Sequence, residues 1–320
     1  MNSITGHDGW LGVELRHLAA LEAVANEGSF GRAATKLGYT QSAISQQIAT
    51  LERIVDVRLI ERPGGPRPVS LTEAGQLLLR HTEGILARLQ AAHADLAALS
   101  EGSAGTLRVG TYQSVGARIL PEVLRRFVSA WPDVEIRLTE SNSDGELLQL
   151  VERGELDLAF VMPPVDNGPF EVAELMRDPY VLLVQAGSPL ARRESAPRLR
   201  EIAELPLIGF RQCRSMAEVE AALRTGGLEP NIVFRSDDNG TVQGLVAAGV
   251  GAALVPRLSV EPNDERVAIL DLERVPPRVI GIAWHRDRYR SPSGTSFVEV
   301  ARKVCSELEQ AAAERAAAAA

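Results

Sequence analysis

Residues 29–52 read SFGRAATKLGYTQSAISQQIATLE, two short helical patterns separated by a glycine. Ser29 suits the cap of the first, because its side-chain oxygen can accept from a free N–H of the first turn. Ala33, Ala34 and Leu37 fall on one face at helical spacing. Gly38 then ends the helix, as a residue that tolerates positive φ does. Thr40 caps a second helix expected from Gln41 to about Val55, whose apolar stripe is Ile44, Ile48, Leu51 and Val55. A preceding helix, roughly Glu14 to Asn26, brings Leu15, Leu18, Leu21 and Val24 over the small Ala33 and Ala34. Three short helices around one core, with a tight turn before the last, form a helix-turn-helix. On this segment alone, the solvated face of an ordinary helical bundle remains the alternative.

The far face of the second helix carries Gln41, Ser42, Ser45, Gln46 and Arg53. Glutamine amides pair bidentately with adenine edges, and serine hydroxyls donate to or accept from several bases. Downstream, Arg58 to Thr72 reads as two short strands around a Pro/Gly turn, a β-wing with Arg62 and Arg67 placed to meet phosphates. Ser29, Arg32, Arg53 and Thr72 complete the candidate DNA-contacting set.

Thr72-Glu-Ala-Gly75 opens a long helix, expected to about Leu99. Leu78, Ile85, Ala92 and Leu99 recur every seven residues, and Thr82, Leu89 and Leu96 fill the position four further on. This is the a/d seam of a coiled coil. It reads as a dimerisation helix rather than one packed on its own domain, and pairs two helix-turn-helix units for a dyad-related DNA site. Ser100 to Gly105 is the hinge that follows.

The whole chain of 320 residues has 45 % hydrophobic and 24 % charged residues, the composition of a soluble globular protein of about two domains. The net charge of −8 sits away from the helix-turn-helix. From Arg32 to Arg67, six basic residues (Arg32, Lys36, Arg53, Arg58, Arg62, Arg67) face three acidic ones (Glu52, Asp56, Glu61), a local excess of three positive charges. Several weak phosphate contacts summed over an oligomer suit such a patch. No apolar run is long enough for a membrane span and the start carries no signal-peptide pattern, so a cytoplasmic protein is expected. The two cysteines, Cys213 and Cys305, and the five histidines show neither metal-ligand spacing nor a disulfide framework. No nucleophile elbow, P-loop or dinucleotide fingerprint is found, so no catalytic residue, metal or cofactor is expected.

From Thr106 strands and helices alternate. Strands are expected at Thr106–Tyr112, Val134–Glu140, Asp157–Val161, Tyr180–Gln185, Leu207–Phe210, Ile232–Ser236, Ala252–Val255 and Val279–His285. Alternation of this kind predicts an α/β region with largely parallel sheets. Two such series suggest two lobes. A last helix, Ser293 to about Ala313, carries Phe297, Val300, Val304 and Leu308 on one stripe and is expected to pack on the first lobe. The Ala-rich end, 313–320, is expected to fray or be disordered, as is the tail 1–12.

The N-terminal run resembles the DNA-binding domain of LysR-type transcriptional regulators. The residues that carry the likeness are Leu15-Arg16-His17-Leu18, Ser29-Phe30, Ala33-Ala34, Leu37, Gln41 to Ser45, Ile48, Leu51-Glu52, Leu59, Arg62, Val69 and Leu71 to Gly75. The second half resembles the effector-binding domain of the same family, itself similar to periplasmic binding proteins. Here the matching pieces are Leu107-Arg-Val-Gly110, Leu120-Pro121, Gly154 to Ala159 and Leu245 to Pro256. The resemblance implies an α+β multidomain chain: a winged helix-turn-helix over 13–72, a linker and dimerisation helix over 73–100, and an effector-binding domain of two α/β lobes over 106–312. It implies that Gln41, Ser42, Ser45 and Gln46 face the major groove while the wing meets the DNA backbone or minor groove. Gln46 stands where many members carry a basic residue, and the wing turn is longer than usual.

Two lobes joined by crossing strands leave a cleft at the carboxyl ends of the strands, where open α/β sheets bind small molecules. The loops there supply Gln113, Ser114, Ser143, Met162, Phe210, Arg211 and Asn239 as candidate effector contacts. The family likeness points to Ser114 and Ser143 in particular. Ser143-Asp-Gly-Glu146 is also a capping box, so Ser143 has a structural reading as well. Arg211 is a candidate partner for a carboxylate. Cys213, between Arg211 and Arg214, admits an alternative reading as a redox-sensing thiol, since adjacent cations favour thiolate. The partners expected are double-stranded DNA, a small-molecule effector, and further copies of the chain as a homodimer assembling to a tetramer. A solute-binding protein and an enzyme are the competing readings; the first lacks a secretion signal and the second a catalytic constellation.

Overall fold

Gly28, Gly38 and Asp56 set the limits of the first three helices. The computed structural model describes residues 10–61, 69–101, 105–165, 168–193, 196–211, 214–272 and 275–319. It divides into two compact units, Met1–Ala94 and Asp95–Ala320.

In the first unit, α1 (Leu15–Glu27) ends at Gly28, which takes φ 59° and donates its N–H to the Val24 carbonyl. The Ser29 hydroxyl caps α2 (Phe30–Leu37) by accepting from the Arg32 N–H. Gly38, at φ 72°, closes that helix, and the Thr40 hydroxyl caps α3 (Gln41–Val55) by accepting from the Ala43 N–H at 3.2 Å. Each such cap stabilises its helix by about 1 kcal/mol. Leu18, Leu21, Val24, Ala33, Ala34, Ile44, Ile48 and Leu51 form one buried core. Truncating a buried Ile48 or Leu51 to Ala in such a core costs ~2–5 kcal/mol. Leu15, expected to cover Ala33 and Ala34, is instead exposed. The inward face of α1 is rotated onto His17, Leu18, Ala20, Leu21, Ala23 and Val24.

β1 (Ile60–Glu61) and β2 (Ser70–Leu71) pair antiparallel, Ile60 opposite Leu71, and form the stem of the wing. Glu52 Oε1 accepts from the Leu59 and Ile60 N–H groups at 2.8 and 3.2 Å, fixing the stem to α3. The turn between the strands, with Arg62 and Arg67, lies outside the described residues. Thr72 caps α4 (Glu73–Glu101): its Oγ1 accepts from the Gly75 N–H at 3.0 Å and donates to the Arg58 carbonyl at 2.7 Å. Leu78 and Thr82 are buried, but further along the same stripe Ile85, Leu89 and Leu96 are exposed.

Among the described residues, the second unit holds a five-stranded, a three-stranded and a two-stranded sheet with helices around them. The first lobe is built from β3 (Thr106–Thr111), α5 (Gln113–Arg118), α6 (Leu120–Ala130), β4 (Glu135–Glu140), α7 (Asp144–Arg153), β5 (Leu158–Val161) and β6 (Phe170–Asp178). The chain then crosses into a second lobe: β7 (Tyr180–Gln185), α8 (Leu199–Ala203), β8 (Pro206–Gly209), α9 (Arg214–Thr225), β9 (Asn231–Arg235), α10 (Asn239–Ala247), β10 (Ala253–Pro256) and β11 (Val267–Asp271). It returns on β12 (Arg278–His285) and ends in α11 (Pro292–Ala319). The first sheet has the order β4-β3-β5-β12-β6; in the second lobe, β10-β7-β11 lies beside the pair β8-β9, joined by a bridge between Leu207 and Ala252.

The expectation of largely parallel sheets needs correction. β3 runs parallel to β4 and β5, and β8 to β9, but β12 is antiparallel to both β5 and β6, and β7 to both β10 and β11. Strands that leave and re-enter a lobe run back along its sheet, so the crossings themselves impose the antiparallel pairs. β6 and β11 were not among the expected strands. The last helix also exceeds its expected end: it continues through the alanine run to Ala319, because alanine is the strongest helix former. Its Phe297, Val298, Ala301, Val304 and Cys305 join the first-lobe core with Leu107, Phe127 and Phe160, as the apolar stripe predicts. The expected disorder over 1–12 falls, up to residue 9, outside the described residues.

Candidate functional sites: a helix face and an interlobe cleft

On the first unit, the polar face of α3 is open to solvent. Gln41, Ser42, Gln46 and Arg53 are exposed and Ser45 is half-buried, while Ile44, Ile48 and Leu51 hold the opposite face to the core. The Ser42 hydroxyl lies 3.0 Å from that of Thr40, which ties the first base-facing candidate to the cap of its own helix. Arg32 is exposed but leans on Glu27, hydrogen-bonding its carbonyl and pairing with its carboxylate at 3.9 Å; Lys36 shares that carboxylate at 3.1 Å. Two members of the candidate DNA set have structural work. Ser29 caps α2, and Thr72 uses its hydroxyl as both donor and acceptor in joining the wing to α4.

On the second unit, a cleft opens between the lobes. From the first lobe its wall takes Tyr112, Gln113 and Ser114 after β3, Asn142 and Asp144 after β4, and Met162 after β5. The second lobe adds Phe210 after β8, Asp237 and Asn239 at the start of α10, and Pro256 and Ser259; Arg278 comes from the first residue of β12. Of the residues expected from sequence, Gln113, Ser114, Met162, Phe210 and Asn239 reach this wall. Ser143 and Arg211 do not. The Ser143 hydroxyl caps α7, accepting from the Glu146 N–H at 3.3 Å. Arg211 is exposed and its guanidinium donates to the Arg235 carbonyl at 3.4 Å, while its N–H donates to Asp237 Oδ1 at 2.8 Å.

The two lobes are pinned across the cleft mouth. Gln113 donates from Nε2 to Asp238 Oδ2 at 2.8 Å and accepts on Oε1 from the Asn239 N–H at 2.9 Å. Hydrogen bonds from Gln113 and Thr241 hold the Asp238 carboxyl below the usual range. Arg118 adds a second clasp, donating to the Val260 carbonyl at 2.7 Å and to Glu261 at 2.9 Å.

Behind the wall lies a buried ion pair that sequence reading did not find. Arg278 Nε donates to Asp178 Oδ2 at 2.9 Å, and its Nη2 reaches the Ser114 hydroxyl at 2.8 Å. The guanidinium also lies 5.5 Å from the centre of the Tyr112 ring. Asp178 ends β6 and Arg278 begins β12, directly opposite in register, so the pair joins the two crossing strands at the hinge. Burial pushes the Asp178 carboxyl above its ordinary range by more than Arg278 and the Leu258 N–H draw it back. The available signal was an arginine opening the otherwise apolar strand RVIGIAWH, which demands a buried partner.

Cys213 lies outside the described residues. Cys305 is buried in α11, and burial, with Glu309 nearby, pushes its thiol up to about 12. Among the described residues, no group of His, Cys, Asp and Glu is arranged to hold a metal ion, and no helix is long and apolar enough to cross a membrane.

Comparison with known proteins gives both sites a context. Residues 15–76 match the family model for the bacterial regulatory helix-turn-helix protein, lysR family, and residues 100–306 match the LysR substrate binding domain. The regulator CbbR of Rhodospirillum rubrum is 33% identical over 265 residues, covering 82% of this chain and 86% of its own. AlsR of Bacillus subtilis is 31% identical over 291 residues, covering 90% of this chain and 95% of its own. Among solved structures, HinK, a LysR family transcriptional regulator from Pseudomonas aeruginosa, superposes with TM-score 0.59 at 26% identity, covering 93% of this chain and all of that one. Full-length CbnR in complex with its target DNA shares the fold at TM-score 0.62 and 23% identity, covering 91% of this chain and 100% of that one. The chain belongs to the LysR family of transcriptional regulators, with a DNA-binding helix-turn-helix unit and an effector-binding domain.

Proposed function

We propose that this regulator reads a dyad-related operator through α3 and that a small molecule in the interlobe cleft modulates its DNA binding or its activation of transcription. The carrying observation is the cleft itself: polar groups from both lobes converge on one cavity, and Gln113 links the lobes beside it. A ligand that prefers one lobe spacing over the other shifts the population toward that spacing, and only this difference in affinity can couple to DNA. Gln41, Ser42, Ser45 and Gln46 read bases, and Arg53 with the wing arginines Arg62 and Arg67 meets phosphates. The chain works as a homodimer through the exposed seam Ile85, Leu89 and Leu96 of α4, and the dimers pair to a tetramer. It acts in the cytoplasm, beside its DNA, and binds rather than transforms its effector.

A gel-shift titration of the purified protein on promoter fragments tests this reading. Affinity falls steeply as salt rises, because phosphate contacts release counterions. Gln46→Ala relaxes sequence preference at one base position, an effect of about 1–3 kcal/mol, whereas Arg53→Ala weakens all sequences alike and lowers the salt slope by about one. Binding indifferent to both salt and sequence would overturn the proposal.

A further inference from the structure

Resting on the effector reading above, we infer that Asp178, which stands behind the cleft wall, is a positioning residue for the effector. Through Arg278 it makes the Ser114 hydroxyl a hydrogen-bond donor, so the cleft takes a molecule that presents an acceptor at Ser114.

A serine hydroxyl left to itself donates or accepts, because its proton rotates to suit the neighbour. Ser114 has lost that freedom. A guanidinium only donates, so Arg278 Nη2, at 2.8 Å, engages a lone pair of the Ser114 oxygen and turns the hydroxyl proton away from itself. Among the described residues, no protein acceptor takes that proton, which leaves it to a group in the cavity that Ser114 lines. A ligand group that itself donates meets a proton there, and an unmatched buried polar group costs affinity.

Arg278 imposes this direction only because it is itself held. Asp178 Oδ2 accepts from its Nε at 2.9 Å and from its Nη2 at 2.7 Å, while the Tyr112 ring lies 5.5 Å from the guanidinium. Nη2 carries two protons, one for Asp178 and one for Ser114. The other carboxylate oxygen, Asp178 Oδ1, accepts from the Leu258 N–H at 3.1 Å, so the carboxylate is fixed by backbone in turn. Asp178, Arg278 and Ser114 are all buried, which keeps water from competing for these bonds. Asp178 ends β6 and Arg278 begins β12, so the donor character of a cleft residue is set at the hinge rather than by the cleft loops.

The test uses the full chain and two neutral probes of similar size: N,N-dimethylacetamide, which only accepts, and pyrrole, which only donates. Neither carries charge, so their ratio does not depend on the charge of the wall. Met162, one of four methionines in the chain, lines the cleft, and its 13C-labelled methyl signal, assigned with Met162→Leu, reports binding there. In wild type, dimethylacetamide is expected to bind at least about tenfold more tightly than pyrrole. Ser114→Ala removes that preference. Asp178→Asn keeps the shape of the side chain but weakens its hold on Arg278, and is expected to bring the ratio within about threefold. If Asp178→Asn does not fold, Asp178→Leu with Arg278→Met serves instead, because an apolar pair of similar volume often preserves stability. A ratio unchanged in the folded Asp178 variant, or equal binding of both probes to wild type, overturns the inference and leaves the cleft as a ligand site. If neither probe moves the Met162 signal, the inference and the effector cleft fall together.

Discussion

Gly75 shows how one residue can hold two elements together. A Cβ built there would stand 2.1 Å from the Leu59 carbonyl oxygen, a backbone atom with little freedom to move. Gly75→Ala is expected to destabilise the DNA-binding unit by about 1–3 kcal/mol, the usual cost of overpacking, read as a drop in thermal midpoint. An unchanged midpoint would show that the wing stem can shift without cost. His17 makes a second prediction. It is buried at the start of α1, and its Nδ1 accepts from the Glu14 N–H. Burial holds its pKa below the ordinary 6.5, against the pull of Glu14. The unfolded chain therefore takes up the proton first. The stability His17 contributes is complete above about pH 6.5 and is lost as the pH falls below it. Melting curves of wild type and His17→Gln across that range should differ in pH slope; identical slopes would defeat the assignment. Much at this scale was legible in the sequence. Ser29, Thr40, Ser143 and Thr72 are caps because a short polar side chain bonds N–H groups only a few residues ahead.

Among the elements, α4 divides its own stripe. Leu78 and Thr82 are buried, whereas Ile85, Leu89 and Leu96 are exposed, with Leu96 at 68%. An apolar seam left open in one chain needs a second surface. Leu89→Asp is expected to convert the assembly to monomers in sedimentation at micromolar concentration and to weaken operator binding at least about tenfold, since dimerisation links the two half-site contacts. A Leu89→Asp protein that sediments like wild type would remove α4 from the interface. The seven-residue spacing made this helix readable. β6 was less readable because only part of it alternates: it follows the edge of the first sheet, and Leu175 and Met176 are buried in succession. β11 is a short edge strand of the second lobe, and little distinguishes five residues of VAILD from a buried turn of helix. The alanine run at the chain end reads as low complexity by composition but as helix by propensity, and α11 follows the propensity.

At the scale of the whole molecule, the proposed control of DNA binding depends on what joins the two lobes. Gln113 makes two hydrogen bonds to the start of α10, more than a hundred residues away in the chain. Gln113→Ala is expected to loosen the link between the lobes. In hydrogen exchange without added ligand, the amide of Asn239 and its neighbours in the first turn of α10 should exchange several-fold faster, while the core of the first sheet keeps its protection. Equal exchange in both proteins would mean that Arg118 and the hinge hold the lobes without Gln113.

The sequence by itself determined the helix-turn-helix, its caps, the inward and outward faces of α3, the long seam and most of the strands. Each of these is written in hydrogen bonds or apolar spacing that span only a few residues. It also marked the loops that form the cleft, since these follow strands in an alternating fold. Only the tertiary structure decided which loop residues reach the cavity, excluding Ser143 and Arg211 and admitting Asp144, Asp237 and Arg278. The reason is physical. Arg278 finds Asp178 across 100 residues of chain and Ser114 across 164, and no local periodicity records a buried pair made where two strands cross between lobes.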